Sequence, residues 1–178
     1  MRIYLTGFMA SGKSTIGPRL AARWGAVFWD LDRLIQAHDG RSIPSIFEAD
    51  GEAAFRRLES EALRRTTEVD DLVVALGGGA LADDANWAFV REHGHVVYLE
   101  VAPDTILARV EDEAGRRPLL QGAEGAPLPR DQMRDRIEEL LSARRARYEA
   151  ADVTVDATDS PEAVTEAAVR AVEEHGWA

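Results

Sequence analysis

Gly7-Phe8-Met9-Ala10-Ser11-Gly12-Lys13-Ser14 lies between a short apolar run, Arg2–Thr6, and a helical pattern, Ser14–Trp24. Gly-x-x-x-x-Gly-Lys-Ser between a strand and a helix is the P-loop pattern. Its glycines let the backbone wrap phosphates with N–H groups turned inward, and the helix N-terminus adds a favourable dipole. Lys13 is expected to reach the β- and γ-phosphates of ATP, and the Ser14 hydroxyl to ligate Mg²⁺. A random chain of this length shows the pattern in well under about one case in a hundred. An ordinary glycine-rich turn is therefore the weaker reading. Of the 21 basic residues one is lysine, Lys13, and the rest are arginine. A bias toward arginine accounts for the others, but the exception falls where a compact ammonium on a flexible stem is needed, which a guanidinium fork cannot replace.

Outward from this loop, short apolar runs alternate with helical patterns. Arg2–Thr6, Val27–Asp30, Leu72–Leu76, His95–Val101 and Asp152–Asp156 read as strands. Ser14–Trp24, Ile43–Thr66 with a junction near Gly51, Asp84–His93, Ala102–Glu111, Asp131–Tyr148 and Ser160–Glu174 read as helices. Single helices between strands imply right-handed βαβ units and a five-stranded parallel sheet covered on both faces, a three-layer α/β fold. Neither a repeat nor a linker divides residues 1–178, so one domain is expected. Gly115 to Pro129 is the long irregular stretch. Its Gly, Ala and Pro content offers little apolar area to hold it down, and Arg116 and Arg117 stand at its mouth, so residues 113–130 are expected to form a mobile lid.

Composition narrows the function classes. No cysteine is present, so disulfides and cysteine-ligated metal sites are excluded. No apolar run approaches membrane-spanning length and no signal-peptide plan opens the chain, so a cytoplasmic protein without a membrane partner is expected. The net charge of −11 argues against a nucleic-acid partner, which requires a basic face.

The remaining candidates lie at strand ends, where open parallel sheets bind ligands. Asp30-Leu31-Asp32 is read as the end of the second strand, one carboxylate serving the Mg²⁺ shell and the other an acceptor hydroxyl. Gly77-Gly78-Gly79 follows the third strand and allows bare backbone to approach a ligand. Arg56 and Glu59 are spaced as a solvated helix-face pair or as part of an anion site. Arg144-Arg145-x-Arg147-Tyr148 is an Arg-rich helix end, where cations also favour the helix dipole.

Together these residues resemble the shikimate kinase family, over nearly the whole chain. Gly7 to Thr15 resembles its P-loop, and Asp30-x-Asp32 its paired aspartates, the first near Mg²⁺ and the second on the acceptor diol. Gly51-Glu52-Ala53-Ala54-Phe55-Arg56-Arg57-Leu58-Glu59 is similar to its substrate-binding helix, and Gly77-Gly78-Gly79-Ala80 to its glycine run. Arg117-Pro118-Leu119-Leu120 resembles its lid motif, and Arg144 the arginine on the substrate carboxylate. The resemblance implies a P-loop kinase fold of the nucleoside monophosphate kinase type. It also implies ATP- and Mg²⁺-dependent phosphorylation of shikimate to shikimate 3-phosphate in aromatic amino-acid biosynthesis, by a monomer. On this basis Lys13, Asp32 and Arg117 are catalytic. Ala10, Ser11, Gly12, Lys13, Ser14, Thr15, Arg109 and Arg117 bind ATP. Asp32, Arg56, Gly77, Gly78, Gly79 and Arg144 bind the acceptor, and Ser14 and Asp30 hold the metal.

The family's Arg-x-Pro-Leu-Tyr stands here as Arg144-Arg145-Ala146-Arg147-Tyr148, and the step to Asp152 is one residue short, which leaves Arg145 as an alternative to Arg144. The loop Ala157–Ser160 lacks an arginine found near adenine in some members. Gluconate-type and nucleoside monophosphate kinases share the fold but lack the Phe55–Glu59 segment. A GTP-dependent switch would need Asn-Lys-x-Asp, whereas the chain's one asparagine is Asn86 and its one lysine Lys13.

Overall fold

In the computed structural model, described for residues 1–111, 118–122 and 126–178, β1 (Arg2–Thr6) runs into the loop that opens α1 (Lys13–Trp24). The chain continues through β2 (Val27–Asp30), α2 (Leu31–Asp39), α3 (Ile43–Arg64), β3 (Leu72–Ala75) and α4 (Asp84–His93). Then follow β4 (His95–Glu100), α5 (Pro103–Val110), α6 (Arg130–Glu149), β5 (Val153–Asp156) and α7 (Pro161–Glu174). The five strands are parallel in the order β2-β3-β1-β4-β5, as the βαβ pattern requires.

Side chains of successive strand residues point to opposite faces. Ile3, Leu5, Val73, Val97 and Leu99 therefore enter one core with Ile16 and Leu20 of α1 and Val169 of α7. Tyr4, Leu72, Val74 and Val96 enter the other with Leu31, Ile35, Phe55, Leu63 and Val90 from α2, α3 and α4. The central strand is buried on both faces, and its middle residues Ile3, Tyr4 and Leu5 are wholly buried.

Two expectations need correction. A helix, α2, follows β2 directly and was not expected from the pattern. The Asp30 side chain caps it by accepting the Arg33 N–H at 3.2 Å, so Asp32 belongs to its first turn and not to a strand end. The second helical run is broken at Gly51 (φ 79°, ψ 173°), the expected junction, and gives way after Arg64 to a 3₁₀ turn, Arg65–Glu68. One residue of the stretch expected to form a lid is held in the core. Leu120 is fully buried in the core that holds Met133 and Ile137, and its carbonyl accepts the Leu128 N–H at 3.0 Å.

Candidate active site

The loop after β1 turns tightly. Gly7 has φ 145°, and a Cβ there would lie 2.6 Å from the Leu99 carbonyl and 2.7 Å from Ser11 Oγ, so a side chain has no room. Ala10, the one non-glycine residue at positive φ among those described, completes the bend (φ 58°). Helix α1 then starts from Gly12 without a side-chain cap, whereas Asp30, Ser42, Asp83 and Ser160 cap α2, α3, α4 and α7. Its first N–H groups and dipole are left for an anion. Lys13 Nζ donates to the Gly7 carbonyl (2.7 Å), the Phe8 carbonyl (2.9 Å) and Ser11 Oγ (3.3 Å), which holds the ammonium over the loop. Ser14 Oγ donates to Asp30 Oδ2 at 2.6 Å. A hydroxyl and a carboxylate thus converge at the mouth of the loop, a hard oxygen donor pair that suits Mg²⁺.

A second cluster beside the loop is assembled from four elements. Asp32 comes from α2, Arg56 and Glu59 from the part of α3 beyond Gly51, the glycine run from the end of β3, and Arg144 and Tyr148 from α6. Arg56 Nη1 donates to Glu59 Oε2 at 2.7 Å, and Nη2 to Glu52 Oε1 at 3.1 Å. The Arg56 guanidinium also lies 5.2 Å from the centre of the Phe55 ring, which in turn packs 4.8 Å from Phe47. Glu59 is 1% exposed, and its Oε1, like Asp32 Oδ1, finds no hydrogen-bond partner. Burial pushes the Asp32 carboxyl above its usual range and the Asp30 charge adds to the rise, while Lys13 and Arg56 oppose it. Burial raises Glu59 likewise, against the Arg56 charge and hydrogen bond.

Three bare peptides fit closely between these groups, most tightly at Gly77. A Cβ on Gly77 would lie 2.6 Å from Glu59 Oε1, one on Gly78 3.2 Å from Arg144 Nη1, and one on Gly79 3.0 Å from Arg56 Nη2. The same point on Gly78 is 3.6 Å from the Gly7 carbonyl, so the phosphate loop and the glycine run adjoin. Arg144 sits 5.7 Å over the Phe8 ring, which gives the buried P-loop phenylalanine a second use as its platform.

The structure therefore brings Lys13, Ser14, Asp30, Asp32, Arg56, Gly77, Gly78, Gly79 and Arg144 to one rim. Arg109 bridges the loop by donating to the Ala10 carbonyl (3.1 Å) and to those of Ala157 (2.9 Å) and Thr158 (3.2 Å). Thr15 stands exposed on the first turn of α1. Arg117 lies outside the described residues. Arg145 points elsewhere, into a groove of about 580 Å³ that it lines with Glu100, Glu138 and Asp156. Two contributors escaped the sequence reading: the burial of Glu59, because an Arg–Glu pair three apart reads as solvated, and the Tyr148 hydroxyl, which donates to the Gly78 carbonyl at 2.8 Å.

Residues 9–173 match the family model described as shikimate kinase. The shikimate kinase of Salinibacter ruber is 64% identical over 157 residues, covering 88% of this chain and 77% of that protein. The shikimate kinase of Chlorobaculum tepidum is 45% identical over 97% of this chain and 91% of its own length. Among solved structures, shikimate kinase from Acinetobacter baumannii in complex with shikimate superposes with a TM-score of 0.86 at 32% identity, covering 98% of this chain and 93% of that one. Agreement in sequence along almost the full length, on the same fold, leaves one assignment: the chain belongs to the shikimate kinase family.

Proposed function

We propose that the protein transfers the γ-phosphoryl group of ATP to shikimate, giving ADP and shikimate 3-phosphate, a step of aromatic amino-acid biosynthesis. The observation that carries this reading is that Arg56 and Arg144 both lie against one glycine run, beside the P-loop. Paired guanidinium forks suit a carboxylate, and the adjoining Asp32 suits a vicinal hydroxyl.

Lys13 moves from its loop carbonyls to the β- and γ-phosphate oxygens, and Ala10 to Thr15 supply backbone N–H groups to the same phosphates. Ser14 and Asp30 hold Mg²⁺, which when bound neutralises charge on the phosphate oxygens. Asp32 accepts the proton of the acceptor hydroxyl as that oxygen bonds to the γ-phosphorus and the bond to the bridging oxygen of ADP breaks. A carboxylate raised by burial is the better base for this transfer. Arg56, Arg144 and the N–H groups of Gly77–Gly79 fix the acid, so the barrier falls chiefly through alignment and charge balance. Arg109 supports the nucleotide. On the family resemblance we assign Arg117 to the transferring phosphoryl group and residues 113–130 to a lid. We also take the protein to act as a cytoplasmic monomer, which light scattering at working concentration checks.

The test is a coupled ADP-release assay with ATP–Mg²⁺ and shikimate, gluconate or AMP as acceptor. Turnover with shikimate alone is expected; turnover with gluconate or AMP and none with shikimate overturns the reading.

A further inference from the structure

Helix α6 makes two approaches to the glycine run, and only Arg144 has been given a role in substrate binding. The second is Tyr148. Its hydroxyl donates to the Gly78 carbonyl at 2.8 Å, and its ring is 3% exposed and stacked on Tyr98 with centroids 4.9 Å apart. Burial raises the Tyr148 phenol, against the Arg144 charge, so the group remains an O–H donor at neutral pH.

Fixing that carbonyl has a geometric consequence. A trans peptide is planar, so the Gly78 C=O and the Gly79 N–H point in opposite directions across one plane; there is no cis bond among the described residues. With the oxygen held toward α6, the Gly79 N–H is turned the other way. Arg56 is the side chain nearest to Gly79, since a Cβ on that glycine would lie 3.0 Å from Arg56 Nη2. Between two glycines the plane has no side chain to hold it, and both residues tolerate a wide range of φ and ψ. The preceding peptide is held differently, by the Ala80 N–H donating to the Gly77 carbonyl at 3.1 Å within the turn itself. The Gly78–Gly79 plane thus depends on an outside hydroxyl.

We propose that Tyr148 is a positioning residue that orients the Gly78–Gly79 peptide, so that the Gly79 N–H donates to an oxygen of the acceptor acid beside Arg56. The identity of the acceptor rests on the function proposed above; the orientation of the peptide does not.

Tyr148→Phe removes the hydroxyl and keeps the ring and its stack. In steady-state kinetics this variant should raise KM for shikimate by about five- to tenfold, the scale of one lost hydrogen bond. The rise should far exceed any fall in kcat, with KM for ATP unchanged. A wild-type KM for shikimate, or equal rises for both substrates together with a lower Tm, overturns the proposal, the latter because it marks a packing role alone. The ligand-free protein supplies a readout independent of substrate identity. In ¹⁵N-labelled Tyr148→Phe the Gly79 amide resonance should shift more than those of Gly77 or Ala80, and its hydrogen exchange should change. An unmoved Gly79 resonance overturns the orientation argument, whereas failure of the wild type to phosphorylate shikimate overturns only the acceptor.

Discussion

Arg144 and Arg145 are adjacent, yet a helix turns by about 100° per residue, and that step separates a guanidinium over Phe8 and Gly78 from one in the groove beside Glu100. Arg144→Ala and Arg56→Ala should each raise KM for shikimate at least about tenfold and leave that for ATP alone, since each strands one end of a charge-assisted pair. Arg56→Lys should recover only part of the loss, because an ammonium cannot bind a carboxylate bidentately. Arg145→Ala should stay within about twofold. Kinetics with each substrate varied separately distinguishes these outcomes, and a large effect confined to Arg145→Ala would transfer the role to it. Asp32 leads to a prediction on stability. Its folded-state carboxyl is raised above its unfolded value, so its contribution to stability is full below the ordinary aspartate range and is lost as pH rises through the raised value. Asn mimics the neutral form. Asp32→Asn should therefore melt higher than the wild type at neutral pH, with the gap closing as pH falls through the carboxylate range, while its turnover drops more than its binding. A lower Tm at neutral pH would show that the buried charge is already compensated.

At the scale of elements, the break in α3 decides where Arg56 points. Gly51 holds φ 79° and ψ 173° with nothing within 4 Å of a Cβ placed on it, so backbone preference, not space, demands glycine. Gly51→Ala should cost about 1 kcal/mol or more and, by shifting the start of the helical piece bearing Phe55, Arg56 and Glu59, raise KM for shikimate over that for ATP. An unchanged Tm and KM would mean that the helix accepts a straight path. Much of this level was legible in the sequence. All five strands and the P-loop were, because period and turn residues report directly on backbone. Helix α2 was not, although its signs were present: Asp30 as cap, Leu31 and Ile35 four apart on a buried face, and Gly40 at its end. Asp30 was read for its carboxylate chemistry, and one side chain can both bond to the Ser14 hydroxyl and cap a helix. The choice between Arg144 and Arg145 was likewise not legible, since both fit the spacing and helical phase is set by packing of Ile137 and Tyr148.

Over the whole molecule, a net charge of −11 surrounds the site proposed to take two anions, where the cations Lys13, Arg56, Arg109 and Arg144 stand among the carboxylates Asp30, Asp32 and Glu59. Lys13 is also the one side-chain amine in the protein. ATP–Mg²⁺ should therefore slow acylation of the chain at Lys13 and leave the N-terminus to react, as mass spectrometry of labelled peptides would read; equal labelling at saturating nucleotide would contradict the P-loop pose. Lys13→Arg should fold normally and lose nearly all turnover, and wild-type rates would refute the need for a compact charge. The sheet order has a further consequence, for synthesis. The strand made first lies at the centre, and Tyr4 pairs with Val74 on one side and Val96 on the other. A ribosome adding about 5–20 residues per second leaves β1 without its second neighbour for several seconds. Throughout that time Ile3, Tyr4 and Leu5, all wholly buried in the finished protein, are carried on an incomplete nascent chain, and its demand for a chaperone lasts until β4 has been made.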